Sequence, residues 1–240
     1  MARTLSSQAV YHSLTGVFRL DDTATTGAVD AIAAKGADAF DVGTGEGASF
    51  AADDWIRVGA NGSNAEVHQI DSVSTDTINL KYPLGRALAA TEVVTLLSKE
   101  DLGATDENGV NQETTQGQTA IVAGTQKKTY LYINQNLEEV FTWALRDFDM
   151  ENILASLGFD DADADLLGTS GIVLPLDDVV SVSYQPWVFE GVLEGGTLVY
   201  GVLMSAKVAS ANQTMQFVEG QATIIPFTLS SNGNRAFVFE

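Results

Sequence analysis

Through the last third of the chain, apolar and polar positions alternate with period two: Met215 and Phe217, then Ile225, Phe227 and Leu229, then Phe237 and Phe239. That spacing gives an extended strand one apolar face, and the Val, Ile, Thr, Phe and Trp content around it favours strands. Strands are expected at 140–145, 179–184, 187–193, 197–208, 213–218, 222–229 and 235–239. A single helix interrupts them at 149–157. Asp149 supplies an N-cap oxygen, Glu151 suits the positive end of the helix dipole, Ile153, Leu154 and Leu157 form one apolar face, and Gly158 provides a left-handed stop. One helix packed on a mostly antiparallel sheet system is the expected architecture.

Upstream the texture changes. Residues 9–20 read as a strand, and 21–36 as a helix or a linker of small residues. Short strands are expected at 55–58, 66–70, 77–80 and 92–97, separated by Asn61-Gly62, Thr75-Asp76 and an excursion over 83–90. Regular spacing of this kind suggests a small barrel or sandwich module inserted into a larger domain. Residues 101–128 are dominated by Asn, Gln, Thr, Gly, Asp and Glu, with few appreciable apolar groups, Val110 and Ile121-Val122 among them. They are expected to form a long polar loop that orders against a neighbouring subunit.

Composition then narrows the function. With 240 residues, 45% of them hydrophobic, the chain is large enough for a substantial core, in one large β domain or two small ones. Thirty-two acidic residues against twelve basic ones give a formal charge of −20, which argues against ordinary binding of nucleic acid. The scarcity of lysine beside so many carboxylates resembles proteins adapted to molar salt, where the Debye length shrinks to about 3 Å and self-repulsion is screened; an acidic mesophilic protein is the alternative. No cysteine is present, so there is no disulfide framework and no thiolate. No apolar run approaches the length of a membrane helix and no signal-peptide pattern opens the chain, so the expectation is a soluble, unprocessed protein without a membrane partner.

Candidate chemistry is sparse. Asp160, Asp161, Asp163 and Asp165 suggest a calcium loop, but counting from Asp161 the sixth position is Leu166 instead of Gly and the twelfth is Ile172 instead of Glu. A solvated acidic turn is the better reading. Gly43-Thr44-Gly45-Glu46-Gly47 lacks the spacing and the following Lys of a phosphate loop, and reads as a flexible turn. His12 and His68 have no second imidazole at ligand spacing, and no nucleophile motif occurs. Asn61-Gly62-Ser63 and Asn212-Gln213-Thr214 match the glycosylation sequon, a weak signal. Trp143, Tyr184, Trp187, Phe189, Phe217 and Phe227 are expected to pack in the core or at subunit interfaces. No catalytic, cofactor-binding or metal residue is therefore assigned, no cofactor is expected, and the protein is expected not to be an enzyme.

The strand and helix unit from Val140 to Gly158, with Ala222-Thr-Ile-Ile-Pro-Phe-Thr-Leu229 and its polar turn into Ala236-Phe-Val-Phe239, resembles the major tail (tail tube) proteins of long-tailed, siphovirus-like viruses. Asp54-Trp-Ile-Arg-Val58, Glu66-Val67 and Leu80-Lys-Tyr-Pro-Leu84 resemble a small β module that recurs in virion proteins. The resemblance implies a mainly β subunit, a tail-tube-like sandwich or barrel with one flanking α-helix. Residues 1–36 and 98–240 would form that domain, and 37–97 the inserted module, which is expected to fold largely on its own and to lie outside the tube. It further implies a virion structural protein, made in the host cytoplasm, that self-assembles into stacked hexameric rings, joins other tail proteins, and conducts viral DNA during ejection without holding it. With the acidic, lysine-poor composition, the expected source is a virus of halophilic archaea. A capsid decoration protein, a tail-completion ring or a cell-surface structural protein is the alternative, and a halophilic carboxylate-dependent hydrolase a distant one.

Overall fold

A computed structural model of the chain describes residues 11–60, 64–103, 105, 110–123, 128–145, 155–156, 167–168, 171–172, 184–193, 198–208, 225–231 and 235–239. These residues are mainly β. The strands are β1 (Tyr11–Ala28), β2 (Ala39–Asp41), β3 (Trp55–Val58), β4 (Glu66–Ser74), β5 (Thr77–Leu80), β6 (Val93–Asp101), β7 (Asn111–Ala123), β8 (Lys128–Leu145), β9 (Leu167–Gly168), β10 (Gly171–Ile172), β11 (Gln185–Leu193), β12 (Leu198–Val208), β13 (Ile225–Ser231) and β14 (Arg235–Phe239). Twelve of them form one sheet in the order β2-β5-β4-β3-β6-β1-β11-β12-β13-β8-β7, with β14 also pairing β12, while β9 and β10 pair separately. Every pairing is antiparallel.

The hinge of this architecture is β1. Its first part pairs with β11, Val17 opposite Phe189, and its second part pairs with β6, Gly27 opposite Val94. Eighteen extended residues span about 60 Å, enough to join two halves of the sheet. The stretch 21–28, which the sequence left between helix and linker, is thus strand. Thr23, Thr25 and Thr26 are β-branched, and exposure alternates along Asp21–Thr26, so a ladder with β6 satisfies backbone groups that a loop would leave to water.

Three apolar clusters hold the sheet. Val29, Phe40, Ile56, Ile70, Ile78 and Val94 belong to one, which draws on residues 29–94 and so reaches beyond the expected 37–97 boundary. A second is built by Val17, Trp187 and Phe189 with Trp143 of β8 and Ile225 and Phe227 of β13; Trp143 stacks on Phe227 at 5.1 Å and meets Phe189 edge-on at 5.3 Å. The third joins the halves: Phe18, Leu20 and Val188 pack with Tyr200, Val202 and Met204 of β12 on one side and with Trp55, Val67 and Leu97 on the other. Val17 and Phe18, or Trp187 and Val188, therefore face different clusters, and this part of the sheet is covered on both faces. β12 lies against β4, which is not its neighbour in the sheet order.

The helix expected over 149–157 lies outside the described residues except for Ala155 and Ser156, which are helical and buried, Ala155 against the Trp143 cluster. No complete α-helix occurs among the described residues; Glu46–Ser49 is a short 3-10 turn. Neither a closed barrel nor a second stacked sheet of comparable size is described. The strand expected at 213–218 lies outside the described residues, as does 179–184 apart from Tyr184.

Candidate functional site

The polar stretch that sequence patterning assigns to a loop contains a thirteen-residue strand, β7, and β8 after it runs for eighteen residues. Among the described residues only the end of β8 has a strand on both sides: Glu139 to Leu145 pair with Ser231 to Ile225 of β13 as well as with the start of β7 or the Thr105 bridge. Lys128 to Glu138 pair with β7 alone among the described residues, Thr115 opposite Glu138 and Ala123 opposite Lys128. Eleven residues of two-stranded ribbon extend about 35 Å past β13. The sequence signal was present in Thr129-Tyr-Leu-Tyr-Ile133, a run of strong strand formers. β7 gave less, because a ribbon without a neighbour on its far edge does not require the apolar alternation that marks a half-buried strand.

The ribbon also differs in charge from everything around it. Residues 114–137 contain no Asp or Glu and two lysines, Lys127 and Lys128, in a chain whose formal charge is −20. The remainder is correspondingly more acidic.

Elsewhere among the described residues, Arg19, Arg57, Lys81, Arg86 and Lys99 are held by carboxylates. Arg19 bonds Asp21 at 3.1 Å and Glu100 at 2.7 Å, and Arg57 grips both oxygens of Asp22 while donating to Gly59 O. Lys81 meets Asp53 at 2.8 Å, and Lys99 lies 3.4 Å from Glu190 and 3.5 Å from the centre of the Phe18 ring. Arg86 donates to both oxygens of Glu92, which also accepts the Ala89 N–H at 2.6 Å. The hydrogen bonds between them raise the Arg86 pKa and hold the Glu92 carboxyl below its ordinary value. Arg19 and Arg57 are buried, so these pairs fasten β1 to β6 and β3 and present little positive surface.

The histidines fall in different settings. His12 lies in β1 at an irregularity of its register with β11. His68, in β4, is fully buried, with Nε2 3.1 Å from Oε2 of the equally buried Glu66, and its ring lies 4.7 Å from that of Tyr82, tilted by 30°. Tyr82 donates its hydroxyl to Val67 O, and burial, followed by the nearby Glu66 carboxylate, pushes its pKa well above 10.0. An imidazole and carboxylate in contact is acid–base geometry, but Nδ1 of His68 has no partner and neither side chain reaches solvent. Among the described residues no side chain other than Glu66 is hydrogen-bonded to His68.

Gly43 to Gly47 is a fastened turn. Asp76 Oδ1 accepts the N–H groups of Gly45 and Gly47, Glu46 Oε2 accepts the Ala28 N–H at 2.7 Å, and Gly45 adopts φ 83°. A Cβ on Gly47 would come 2.0 Å from Thr75 O, so the second turn, Thr75-Asp76, seats directly on it. The flexibility expected of this glycine-rich stretch gives way to a lock between β2 and the β4–β5 hairpin. The acidic cluster Asp160 to Asp165 and both sequons lie outside the described residues, as does Phe217. Among the described residues no group of three or more His, Asp or Glu is placed to hold a metal, and no helix is long and apolar enough to cross a membrane. Trp143, Trp187, Phe189 and Phe227 sit in the core.

No protein-family model matches the chain, and no curated protein matches it in sequence.

Proposed function

We propose that the chain is a self-assembling structural subunit of a viral tail tube, forming stacked hexameric rings through which DNA passes. The observation that carries this reading is the β7–β8 ribbon. A two-stranded ribbon is at best marginally stable alone in water and gains stability by docking on another surface. The stretch 114–137, without a carboxylate and with Lys127 and Lys128 between the two strands in sequence, complements the acidic body of a second copy. The sheet supports the same reading. β12 facing β4 across the Trp55 and Tyr200 cluster is consistent with a sheet that curves into the sandwich or barrel of a tube wall, and the buried Ala155 and Ser156 with a helix flanking it. Carboxylates in excess, with Arg19, Arg57, Arg86, Lys81 and Lys99 already paired, leave a wall that repels phosphate, so DNA is conducted without adhering. The acidic composition fits a host with molar internal salt.

The test reverses the ribbon charge. Lys127→Glu with Lys128→Glu leaves the described core untouched and should yield a folded subunit that needs more salt than the parent chain before large particles form by sedimentation, because the added carboxylates deepen the repulsion that salt screens. Particles of equal size from both proteins at every salt concentration would remove the ribbon from assembly.

A further inference from the structure

Ile32 is 78% exposed and Val93 is 49% exposed, and no other large apolar side chain is exposed among the described residues. Both fall on one feature. Val93 opens β6 opposite Ala28, the last residue of β1, and from there the chain runs through Ile32 to the bridge between Ala33 and Leu88. Exposed apolar residues scattered singly over a surface need no explanation, but these two share one pair of segments, with Ala31, Ala34, Ala89 and Ala90 exposed beside them.

The tip they form is held firmly. The Val29 N–H donates to Glu92 O at 2.9 Å and the Thr91 N–H to Val29 O at 2.7 Å, Ala33 and Leu88 exchange both backbone bonds at 3.2 and 2.9 Å, and Gly36, at φ 84°, donates to Leu84 O at 2.8 Å. Val29, Ala33, Leu84 and Leu88 are buried in the first apolar cluster, which leaves the intervening Ile32 outside. A surface fixed in this way loses little conformational freedom on contact. The tip also departs from the charge of the chain. Residues 28–37 and 84–93 contain two carboxylates, Asp30 and Glu92, and two cations, Lys35 and Arg86, in a chain whose formal charge is −20. Arg86 and Glu92 bind each other, whereas Lys35 is exposed and has no carboxylate at ion-pair distance among the described residues.

We propose that this tip is a self-association surface, on which Ile32 and Lys35 dock against a carboxylate-bearing face of a second copy. Charge chooses the occupant: a second copy carries excess carboxylate to complement Lys35, and the tip, neutral in itself, is where two such bodies approach with least repulsion. An ion pair at contact distance survives a Debye length of about 3 Å, while the repulsion between whole bodies does not. The contact is heterologous, tip against acidic face, the kind that closes into a ring. It lies between β1 and β2, at the opposite end of the sheet order from β7 and its ribbon. The choice of a second copy rests on the self-assembly proposed above.

The chain has no cysteine, so one introduced thiol is unique. Ala31→Cys, labelled with benzophenone maleimide and irradiated in molar salt, should give covalent dimers whose far end maps outside 28–37 and 84–93, while Ser98→Cys, further along β6, should give few. Adding Ile32→Ser to the labelled chain should cut the dimer yield about tenfold, as loss of one buried apolar side chain implies, and Lys35→Glu should lower it as well. Residues 31, 32, 35 and 98 are all exposed, so these substitutions leave the core intact. Large particles by light scattering without links from residue 31 overturn the inference and leave assembly to another surface. Links that map to the tip itself, or a yield untouched by both substitutions, also overturn it. Links without large particles keep the contact and overturn the tube, and neither links nor particles overturn both.

Discussion

Replacing Trp55 by Ala probes how the β2-to-β6 side of the sheet and the β11-to-β13 side share stability. Trp55 is 4% exposed, lies in β3, and meets Tyr200 of β12 edge-on at 6.3 Å within the cluster that also holds Phe18, Leu20, Val67 and Leu97. Truncating a buried Trp to Ala costs about 3–5 kcal/mol, a large part of the roughly 5–15 kcal/mol that holds a domain folded. The ring-to-ring contact accounts for about 0.5–1.5 kcal/mol of that, and the remainder is packing lost on both sides of the junction. A double-mutant cycle of Trp55→Ala with Tyr200→Ala, followed by denaturant unfolding in molar salt, should return a coupling energy of about that aromatic value. Native-state exchange should show β4 and β11 losing protection together, because Val67 and Val188 pack in the same cluster. If only residues 55–94 lose protection while 185–193 keeps it, and the cycle gives no coupling, the two halves are energetically independent and the third cluster does not join them.

Three further outcomes follow from the same geometry. Gly47→Ala drives a Cβ onto Thr75 O and should destabilise toward the upper end of the roughly 1–3 kcal/mol typical of overpacking, read as a lowered midpoint in thermal unfolding; an unchanged midpoint would contradict the seated turns. Glu92→Gln should cost no more than about 1 kcal/mol, as the pair with Arg86 is partly exposed. Because the folded Glu92 pKa is lowered, its contribution is complete above the ordinary value of 4.5 and is lost as pH falls through the depressed one, so parent and variant stabilities should converge in acid and differ at neutral pH. Assembly should require salt: repulsion between −20 bodies outweighs the attraction of two lysines for them, and the Debye length falls from about 30 Å at 0.01 M to about 3 Å at 1 M, so particles dialysed into dilute buffer should shrink by light scattering, and particles that keep their size would refute the charge argument.

The strands most legible in the sequence were those half-buried or bracketed by turns. Trp55–Val58, Thr77–Leu80 and Arg235–Phe239 match expectation, the first two because Asn61-Gly62 and Thr75-Asp76 punctuate them. The second half of β1 and all of β7 were not legible, since Asp21-Asp22-Thr23 and Asn111-Gln112-Glu113 carry no apolar alternation and their pairing is decided by long-range partners, β6 and β8. The third cluster escaped for a related reason: Phe18 and Val188 look like ordinary core residues, and only the sheet order shows that Trp55 and Tyr200, far apart in sequence, cover the same face. His68 looked inert without a second imidazole nearby. Its partner Glu66 stands two residues away on the same strand, a spacing that places both on one face, and that signal was available. The charge contrast of 114–137 was also readable, but it acquires meaning only once β7 and the first part of β8 pair as a ribbon extending past β13.

Electron microscopy of the purified full chain in molar salt tests the central claim most directly. The account predicts open-ended hollow tubes built of stacked rings with six subunits each. Monomers, trimers or discrete rings that never stack, at any protein concentration and at high salt, would contradict it and favour a decoration or ring-forming structural protein instead.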